Sequence, residues 1–515
     1  MSGQRGEGRR DDRPIADIAL LLEGTYPYVR GGVSSWVHQI VTGLPEYTFA
    51  IVFLGGLPEH YEGIQYELPE NVVHLETHYI MHASIHGEPD ARSGKQAQFE
   101  AMRAMHGDFR ARRPVQPEVM AETLGKLGTD AGITREDFLY GEEAWAMITD
   151  HYERFCTDPS FIDYFWTVRI MHAPLFLLAE IARDLPPVRA LHAVSTGYAG
   201  LLGAMLAARR GLPFVLTEHG IYTKERKIDL VQAQWIRDQM DALGADIEHE
   251  AGYIRQLWIR FFEVLGRLAY QQADPIISLH RPNQLRQIKD GAPPEKCRII
   301  PNGIDIERFR PVLEARPEGV PPVVGLVGRV VPIKDIKTFI RAMRAVCDTM
   351  PEAEGWIVGP EEEDPLYVAE CRALVRSLDL EDRVKFLGFR RVDEIFPQLG
   401  LIVLTSISES QPLVILEGYA AGLPCVATDV GSCRELVEGR DEEDRALGAG
   451  GRIVPIADPE ATAQGILSLL EDEAAWQAAQ RAGLERVRRY YRLDQMYDAY
   501  RGVYDEALER SPWQA

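Results

Sequence analysis

The chain has 515 residues, 46% hydrophobic and 26% charged, which is globular composition with room for about two to four domains. A formal net charge of −22 argues against a general nucleic-acid or anionic-membrane surface, so an anionic ligand must meet a local cluster of positive charge. Six scattered cysteines, none at zinc-ligand spacing, exclude a disulfide scaffold and point to reduced thiols.

Residues 1–14 are polar and charged and are expected to form a disordered tail. No apolar segment follows a basic start, so no signal peptide is expected. No run approaches the ~18 apolar residues of a membrane span; the longest candidate, 173–182, contains Glu180. The apolar run Ile15 to Leu22 predicts a buried parallel strand. After a loop, Gly31 and Gly32 precede a helical pattern from Val33 to Leu44, where missing side chains let backbone N–H groups approach a ligand. The dinucleotide spacing Gly-x-Gly-x-x-Gly is absent there, which argues against an NAD site. Phe49 to Leu54 and Val72 to Leu75 read as further strands.

From about 85 to 186 the alternation breaks, predicting a helical insertion with its own small core and an aromatic cluster at Phe155, Phe161, Tyr164, Phe165 and Trp166. The pattern then resumes with a strand at Ala190 to Val194, a helix at Gly197 to Arg210 and a strand from Pro213 to Leu216. His219 follows that strand, at a carboxyl end, where open α/β sheets bind ligands. Strands at Pro275 to Leu279 and Arg298 to Ile300 lead to the turn Pro301-Asn302-Gly303-Ile304-Asp305. Phe309 to Pro322 holds four prolines and reads as an interdomain linker.

A second α/β pattern begins at Val323 to Val327, followed by Gly328, Arg329 and Lys334, and by a helix to Met350. The two cations after a strand suit a diphosphate. Strands at Trp356 to Val358 and Val384 to Phe386 follow, the second leading into Leu387-Gly388-Phe389. After the strand Leu401 to Leu404, Pro412 suits the first position of a helix capped by Ser410 or Gln411, ending near Ala421 and stopped by Gly422. Glu409 precedes this helix and Glu417 lies inside it, with the free N–H groups of the helix start between them. A ligand with a hydroxylated part, a diphosphate and a second hydroxylated part, such as a nucleotide sugar, fits that layout. The plainer reading is a capped helix with solvent-facing acids.

Two doubly wound domains joined by a linker suggest a cleft. Gly31-Gly32-Val33, Pro301-Asn302-Gly303-Ile304-Asp305, Gly328-Arg329 with Lys334, and the Glu-x7-Glu pair Glu409 and Glu417 resemble glycosyltransferase family 4 of the GT-B fold. The stretch Glu23 to Trp36, the stretch Thr217 to Tyr222 and the insertion are similar to the cytosolic glycosyltransferases of Pel exopolysaccharide biosynthesis. The resemblance implies an α/β, GT-B architecture. A Rossmann-like acceptor domain would span 15–308, a linker 309–322, a Rossmann-like donor domain 323–485, and a helical tail at 486–515 would pack back toward the first domain. It also implies retaining transfer of a hexose or N-acetylhexosamine from a UDP-sugar to a growing exopolysaccharide. No metal or tightly bound cofactor would be needed and no nucleic acid is a partner. The protein would work in the cytoplasm, with room for recruitment to inner-membrane Pel synthase components.

Carried over by resemblance, Arg329 and Lys334 bind the diphosphate, Glu409 the donor sugar, Glu417 the ribose, and the amides near Leu413 and Val414 the phosphate. Gly388, Phe389 and Arg390 lie near the uracil, Gln411 and Gly328 join the nucleotide site, Gly31 and Gly32 touch phosphate or acceptor, and His219 contacts the donor sugar. A nucleotide-sugar epimerase and a non-catalytic nucleotide-sugar scaffold of a membrane synthase are the alternatives.

Overall fold

The computed structural model describes residues 14–82, 90–111, 113–157, 160–232 and 252–513. The expected tail lies outside the described residues except for Pro14. The chain divides into two compact units. Unit one takes in Met1–Ser278, Gln284–Arg298 and Tyr500–Ala515; unit two takes in Leu279–Asn283 and Ile299–Ala499.

Unit one is built on a seven-stranded sheet: β1 (Ala16–Glu23), β2 (Phe49–Gly55), β3 (Val72–Tyr79), β4 (Val188–Ala193), β5 (Phe214–Glu218), β6 (Ile276–Ser278) and β7 (Cys297–Ile299). Their order is β3-β2-β1-β4-β5-β6-β7. From β3 through β6 neighbouring strands pair in parallel, with Ile18 opposite Phe49 on one side and Ala190 on the other. Ile18 to Leu22 are wholly buried, as a run covered on both faces must be.

Unit two carries β8 (Val323–Val327), β9 (Glu354–Val358), β10 (Val384–Gly388), β11 (Leu401–Leu404), β12 (Cys425–Thr428) and β13 (Gly451–Val454), in the order β10-β9-β8-β11-β12-β13. Every neighbouring pair is parallel. Both sheets have the doubly wound order in which the chain reverses direction of winding between the first and fourth strands. Those reversals, β1 beside β4 and β8 beside β11, are the topological switch points where such sheets take ligands.

Three expectations need correction. The insertion between β3 and β4 contains the helices Gln96–Arg110, Pro117–Thr123, Arg135–Tyr140, Glu142–Phe155 and Phe161–Asp184. It has no separate core: Phe99, Met102, Phe138 and Met147 join one cluster with Leu21, Val52 and Leu191 of the sheet. Residues 309–322 are not simply a linker, because the helix Ile306–Glu314 runs into them. Asp305 caps that helix, and Phe309 and Val312 are buried in the core of unit two. Pro311 lies inside the same helix. Finally, Phe161–Asp184 is long and apolar enough to cross a membrane by length and composition, although half of its most apolar window is buried inside the protein.

Residues of the expected helical tail also complete unit one. Tyr504 there reaches His192 Nδ1 with its hydroxyl at 2.9 Å, and Tyr47 donates to Asp505 at 2.6 Å. The turn Pro301 to Asp305 has a packing role. Ile304 donates its N–H to Tyr491 and accepts one from Leu493, and a side chain on Gly303 would strike the Arg492 carbonyl at 2.4 Å.

Candidate functional site

The switch point of unit two is formed by the loop after β8, which runs from Gly328 to Lys334, and the loop after β11, which runs from Thr405 to Pro412. The second loop is tied down along its length. Thr428 Oγ1 donates to the Ser406 carbonyl at 2.7 Å, Ile407 N to the Ile333 carbonyl at 2.9 Å, and Ser432 N to the Ser410 carbonyl at 2.8 Å. Gly431 makes the last approach possible. Its φ is +54°, and a Cβ there would sit 2.3 Å from the carbonyl oxygens of both Glu409 and Ser410.

On this frame Lys334 Nζ donates to Glu409 Oε1, and Ser406 Oγ donates to the same oxygen at 2.6 Å. The two charged side chains are only 20% and 13% exposed. A half-buried ammonium and carboxylate thus meet at the carboxyl ends of β8 and β11, each able to release the other to a ligand. Beside them begins the helix Leu413–Ala420, with Pro412 at its N-cap rather than inside it and no side-chain hydrogen bond to the cap. The first N–H groups of that helix, Leu413 and Val414 among them, face outward from its start and suit an anion. The helix ends at Ala420 and Gly422 follows with φ +73°.

Gln411 and Glu417 flank the same helix start. Gln411 is buried and its Oε1 accepts from Asn302 N at 2.7 Å, so its carboxamide holds the loop rather than reaching outward. Glu417 is partly buried. Burial raises its carboxyl above the ordinary value, the Arg308 guanidinium opposes that, and Asp393 adds to it.

Arg329 stands apart from this pair. Its guanidinium bonds both oxygens of Glu363, at 2.7 and 2.6 Å, and both side chains are more than half exposed. An exposed pair of this kind is worth about 0–1 kcal/mol and exchanges partners readily. The loops after β8, β9 and β10 are laced together by Gly328 N to Val358 O, Val330 N to Pro360 O and Gly359 N to Gly388 O. A Cβ at Gly359 would lie 2.0 Å from the Gly328 carbonyl. Past Gly388, Phe389 is 73% exposed and Arg390 is exposed as well, an uncovered aromatic face next to a cation.

Sequence reasoning missed several supports of the Ser406–Pro412 loop. His280 Nε2 lies 3.5 Å from Ser410 Oγ, which also accepts from Asn283 Nδ2 at 3.2 Å. Burial lowers the His280 imidazole to about 4. The acidic run Glu361 to Asp364 was the available sign that Arg329 had a nearby partner.

In unit one the candidate residues assemble differently. Gly31 caps the helix Gly32–Gly43 with φ 171°, so neither a left-handed turn nor a crowded backbone requires it; nothing would touch a Cβ at Gly31 or Gly32. Trp36, from that helix, lies edge-on to the His219 ring at 4.6 Å. His219 is buried and its imidazole is pushed down to about 4 by that burial, so it is neutral near pH 7. The switch point of unit one is already filled by a side chain. Glu23 Oε2 accepts from Tyr198 N at 2.7 Å, at the start of the helix Tyr198–Arg210, and Glu23 Oε1 accepts from Tyr222 Oη at 2.7 Å. The start of the helix Tyr198–Arg210 is therefore occupied by Glu23, whereas the N-caps of Gly32–Gly43 in unit one and of Leu413–Ala420 in unit two make no side-chain hydrogen bond. Among the described residues no group of three His, Cys, Asp or Glu side chains is placed to hold a metal ion.

A family model described as a domain of unknown function, DUF3492, matches residues 16–295, more than half of the chain. The chain belongs to the DUF3492 family. A second model, described as glycosyl transferases group 1, matches residues 321–472 of this DUF3492 protein, which cover the Lys334–Glu409 pair and the helix after it.

The relatives named below are glycosyltransferases. The lipopolysaccharide core biosynthesis mannosyltransferase LpsB of Rhizobium meliloti is 29% identical over 219 residues, 41% of this chain and 61% of that protein. The D-inositol 3-phosphate glycosyltransferase of Corynebacterium urealyticum is 26% identical over 336 residues, 58% of this chain and 76% of that protein. The Escherichia coli UDP-Gal:alpha-D-GlcNAc-diphosphoundecaprenol alpha-1,3-galactosyltransferase is 27% identical over 266 residues, 48% of this chain and 59% of that protein. The DUF3492 chain thus matches about three fifths of the length of LpsB and of the galactosyltransferase. Among solved structures, HepE of Anabaena in complex with UDP aligns with TM-score 0.56 and 16% identity over 95% of this chain and 100% of that one. Sucrose-phosphate synthase from Thermosynechococcus elongatus aligns with TM-score 0.56 and 18% identity over 96% and 100%. These likenesses fix the fold as two Rossmann-like α/β domains of the GT-B class.

Proposed function

We propose that the protein is a UDP-sugar-dependent hexosyltransferase that extends an exopolysaccharide, with the donor held by unit two. The observation that carries this reading is the Lys334–Glu409 pair at the β8–β11 switch point, beside the start of the helix Leu413–Ala420, whose N-cap Pro412 makes no side-chain hydrogen bond. The group 1 glycosyltransferase match over these residues supports it, as do the UDP and UDP-glucose bound by HepE.

In this reading the donor diphosphate lies at the Leu413–Val414 amides and takes Lys334 from Glu409. Arg329 leaves Glu363 to join it. These groups stabilise the charge that grows on the departing UDP, the largest catalytic contribution expected for such a reaction. Glu409, released from Lys334, accepts from hydroxyls of the donor sugar. Glu417 accepts from the ribose hydroxyls, and Phe389 offers its exposed ring to the uracil, with Arg390 beside it. Gly31, Gly32 and His219 serve the part of the reaction carried by unit one, where a neutral imidazole contacts sugar without competing for phosphate. No carboxylate is assigned as a nucleophile. The departing phosphate takes the acceptor proton on the face it leaves, and the anomeric configuration is retained.

The resemblance of Glu23 to Trp36 and Thr217 to Tyr222 to the cytosolic glycosyltransferases of Pel biosynthesis supports that setting, with a hexose or N-acetylhexosamine donor, work in the cytoplasm and inner-membrane synthase components as partners. Incubation with UDP-glucose, UDP-galactose and their N-acetylated counterparts in the presence of oligosaccharides of the same sugars as acceptors, with NMR of the products, tests the reading. It expects UDP release together with a new glycosidic bond of unchanged anomeric configuration. Epimerised UDP-sugar without transfer would replace this reading with an epimerase, and binding without any turnover would replace it with a scaffold.

A further inference from the structure

Unit one contains a cavity of about 760 Å³ at the carboxyl ends of β1 and β2, lined there by Glu23, Gly24 and Leu54 to Gly56, and roofed by the helical insertion. Its size falls in the ~300–1,000 Å³ range of small-molecule sites. Phe138, Trp166, Ile170, Trp258 and Phe262 make its walls mainly apolar and aromatic. The donor chemistry of unit two makes no use of it.

Two features define what would fit. The first is Arg169, on the insertion helix Phe161–Asp184, which lines the cavity. Its Nε is buried and has no hydrogen-bond partner, and no carboxylate pairs with it among the described residues; it rests only against the rings of Phe165 and Trp166. The side chain as a whole is partly exposed, so its guanidinium keeps access to water, and a phosphate entering the cavity would gain a charge-assisted hydrogen bond from it. Arg226, also in the lining, is by contrast already engaged with Tyr222, Asp229 and Glu23. The Glu23 carboxylate at the floor is likewise occupied by Tyr198 N and the Tyr222 hydroxyl.

The second feature is the rim. Ile162, Trp166 and Ile170 recur every fourth residue along one face of the insertion helix and are 68%, 48% and 58% exposed. Trp166 and Ile170 belong to both this stripe and the cavity wall, and Met81, 72% exposed, joins them at the lining. The apolar surface is thus continuous from solvent into the cavity. An amphiphile would bury its chain against such walls and leave its polar head at the charged part of the lining.

We propose that this cavity binds the phosphate ester of a long isoprenoid or alkyl chain, the chain against Trp166, Ile170 and Phe138 and the phosphate on Arg169. Binding stands without the donor reading; that the ligand is the lipid-linked end of the sugar acceptor rests on that reading.

The test uses the full chain and the quenching of its tryptophan fluorescence by farnesyl phosphate, with farnesol and inorganic phosphate as the other probes. Farnesyl phosphate should saturate, farnesol should bind at least tenfold more weakly, and inorganic phosphate should not bind measurably. Arg169→Gln should bring farnesyl phosphate down to the farnesol level, and Ala173→Phe, which fills the cavity from its wall, should abolish binding of both. Neither substitution should alter the thermal shift produced by UDP, which also reports that the variants are folded. Equal binding of farnesol and farnesyl phosphate, unchanged binding by Arg169→Gln, or adsorption to anionic vesicles with no binding of monomeric farnesyl phosphate would overturn the proposal. Farnesyl phosphate binding with no response to UDP would leave the cavity assignment standing and remove the donor reading instead.

Discussion

Separating the two halves of the Lys334–Glu409 pair distinguishes a donor site from a structural ion pair. Removing one partner of a fully buried pair costs about 3–5 kcal/mol, whereas a fully exposed pair is worth about 0–1 kcal/mol. With the two side chains 20% and 13% exposed, this pair lies between those limits, at about 2 kcal/mol. That energy corresponds to roughly a thirtyfold change in an equilibrium constant. Urea unfolding of Lys334→Ala, Glu409→Gln and the double variant reads that energy, and calorimetric titration of UDP and UDP-glucose against the same variants shows how each half of the pair serves a ligand. Lys334→Ala should weaken both ligands by about ten- to a hundredfold, since each loses a charge-assisted contact to phosphate. Glu409→Gln should weaken UDP-glucose but leave UDP unchanged or slightly tighter, because Lys334 no longer has a competing carboxylate. The double variant should show a coupling well above the ~0.5 kcal/mol expected of independent sites. Equal effects of Glu409→Gln on UDP and UDP-glucose, or UDP affinity untouched by Lys334→Ala, would refute the assignment of phosphate to one residue and sugar to the other.

Other predictions follow from the same geometry. Glu363→Gln should free Arg329 and tighten UDP a few-fold with a stability change under about 1 kcal/mol, whereas Arg329→Ala should abolish transfer; urea unfolding and a turnover assay check the pair. Gly431→Ala should cost about 1–3 kcal/mol for its positive φ and displace the Glu409–Ser410 backbone, so UDP-glucose binding should fall while the far-ultraviolet circular dichroism is retained. His219, held at about 4 in the folded protein against about 6.5 when unfolded, binds its proton only in the unfolded chain between those values. Stability is therefore fully present above about pH 6.5 and falls as pH drops towards 4, by about 2 kcal/mol at pH 5 from this residue. His219→Gln should remove one proton's share of that slope in urea titrations between pH 7 and 5; an unchanged slope would show that His219 is not buried neutral.

The strands at Ile15 to Leu22, Val323 to Val327 and Leu401 to Leu404 were legible because strands covered on both faces need continuous apolar runs. The positions of Lys334 and Glu409 were legible because each follows such a run and begins a helical pattern. What the sequence hid depends on distant segments meeting. Asn302 binds Gln411 across 109 residues, and Arg329 reaches Glu363 across 34. Gly431 reads locally as a turn glycine, yet its conformation serves the Glu409 loop. The prolines of 309–322 suggested a break, but Phe309 and Val312 sit three apart on one helical face and find a core in unit two. The insertion looked self-contained because its helical period is local, whereas the sheet face that completes its core is supplied by β1, β2 and β4.

Thermal unfolding with UDP, GDP and ADP decides whether unit two holds a uridine diphosphate sugar at Lys334 and Glu409. A ligand that binds only the folded state adds about 2.7 kcal/mol at a hundred times its dissociation constant. UDP should give a clear upward shift, GDP and ADP a much smaller one, and Lys334→Ala should lose the UDP shift. No shift with UDP, or an equal UDP shift in Lys334→Ala, would contradict that assignment.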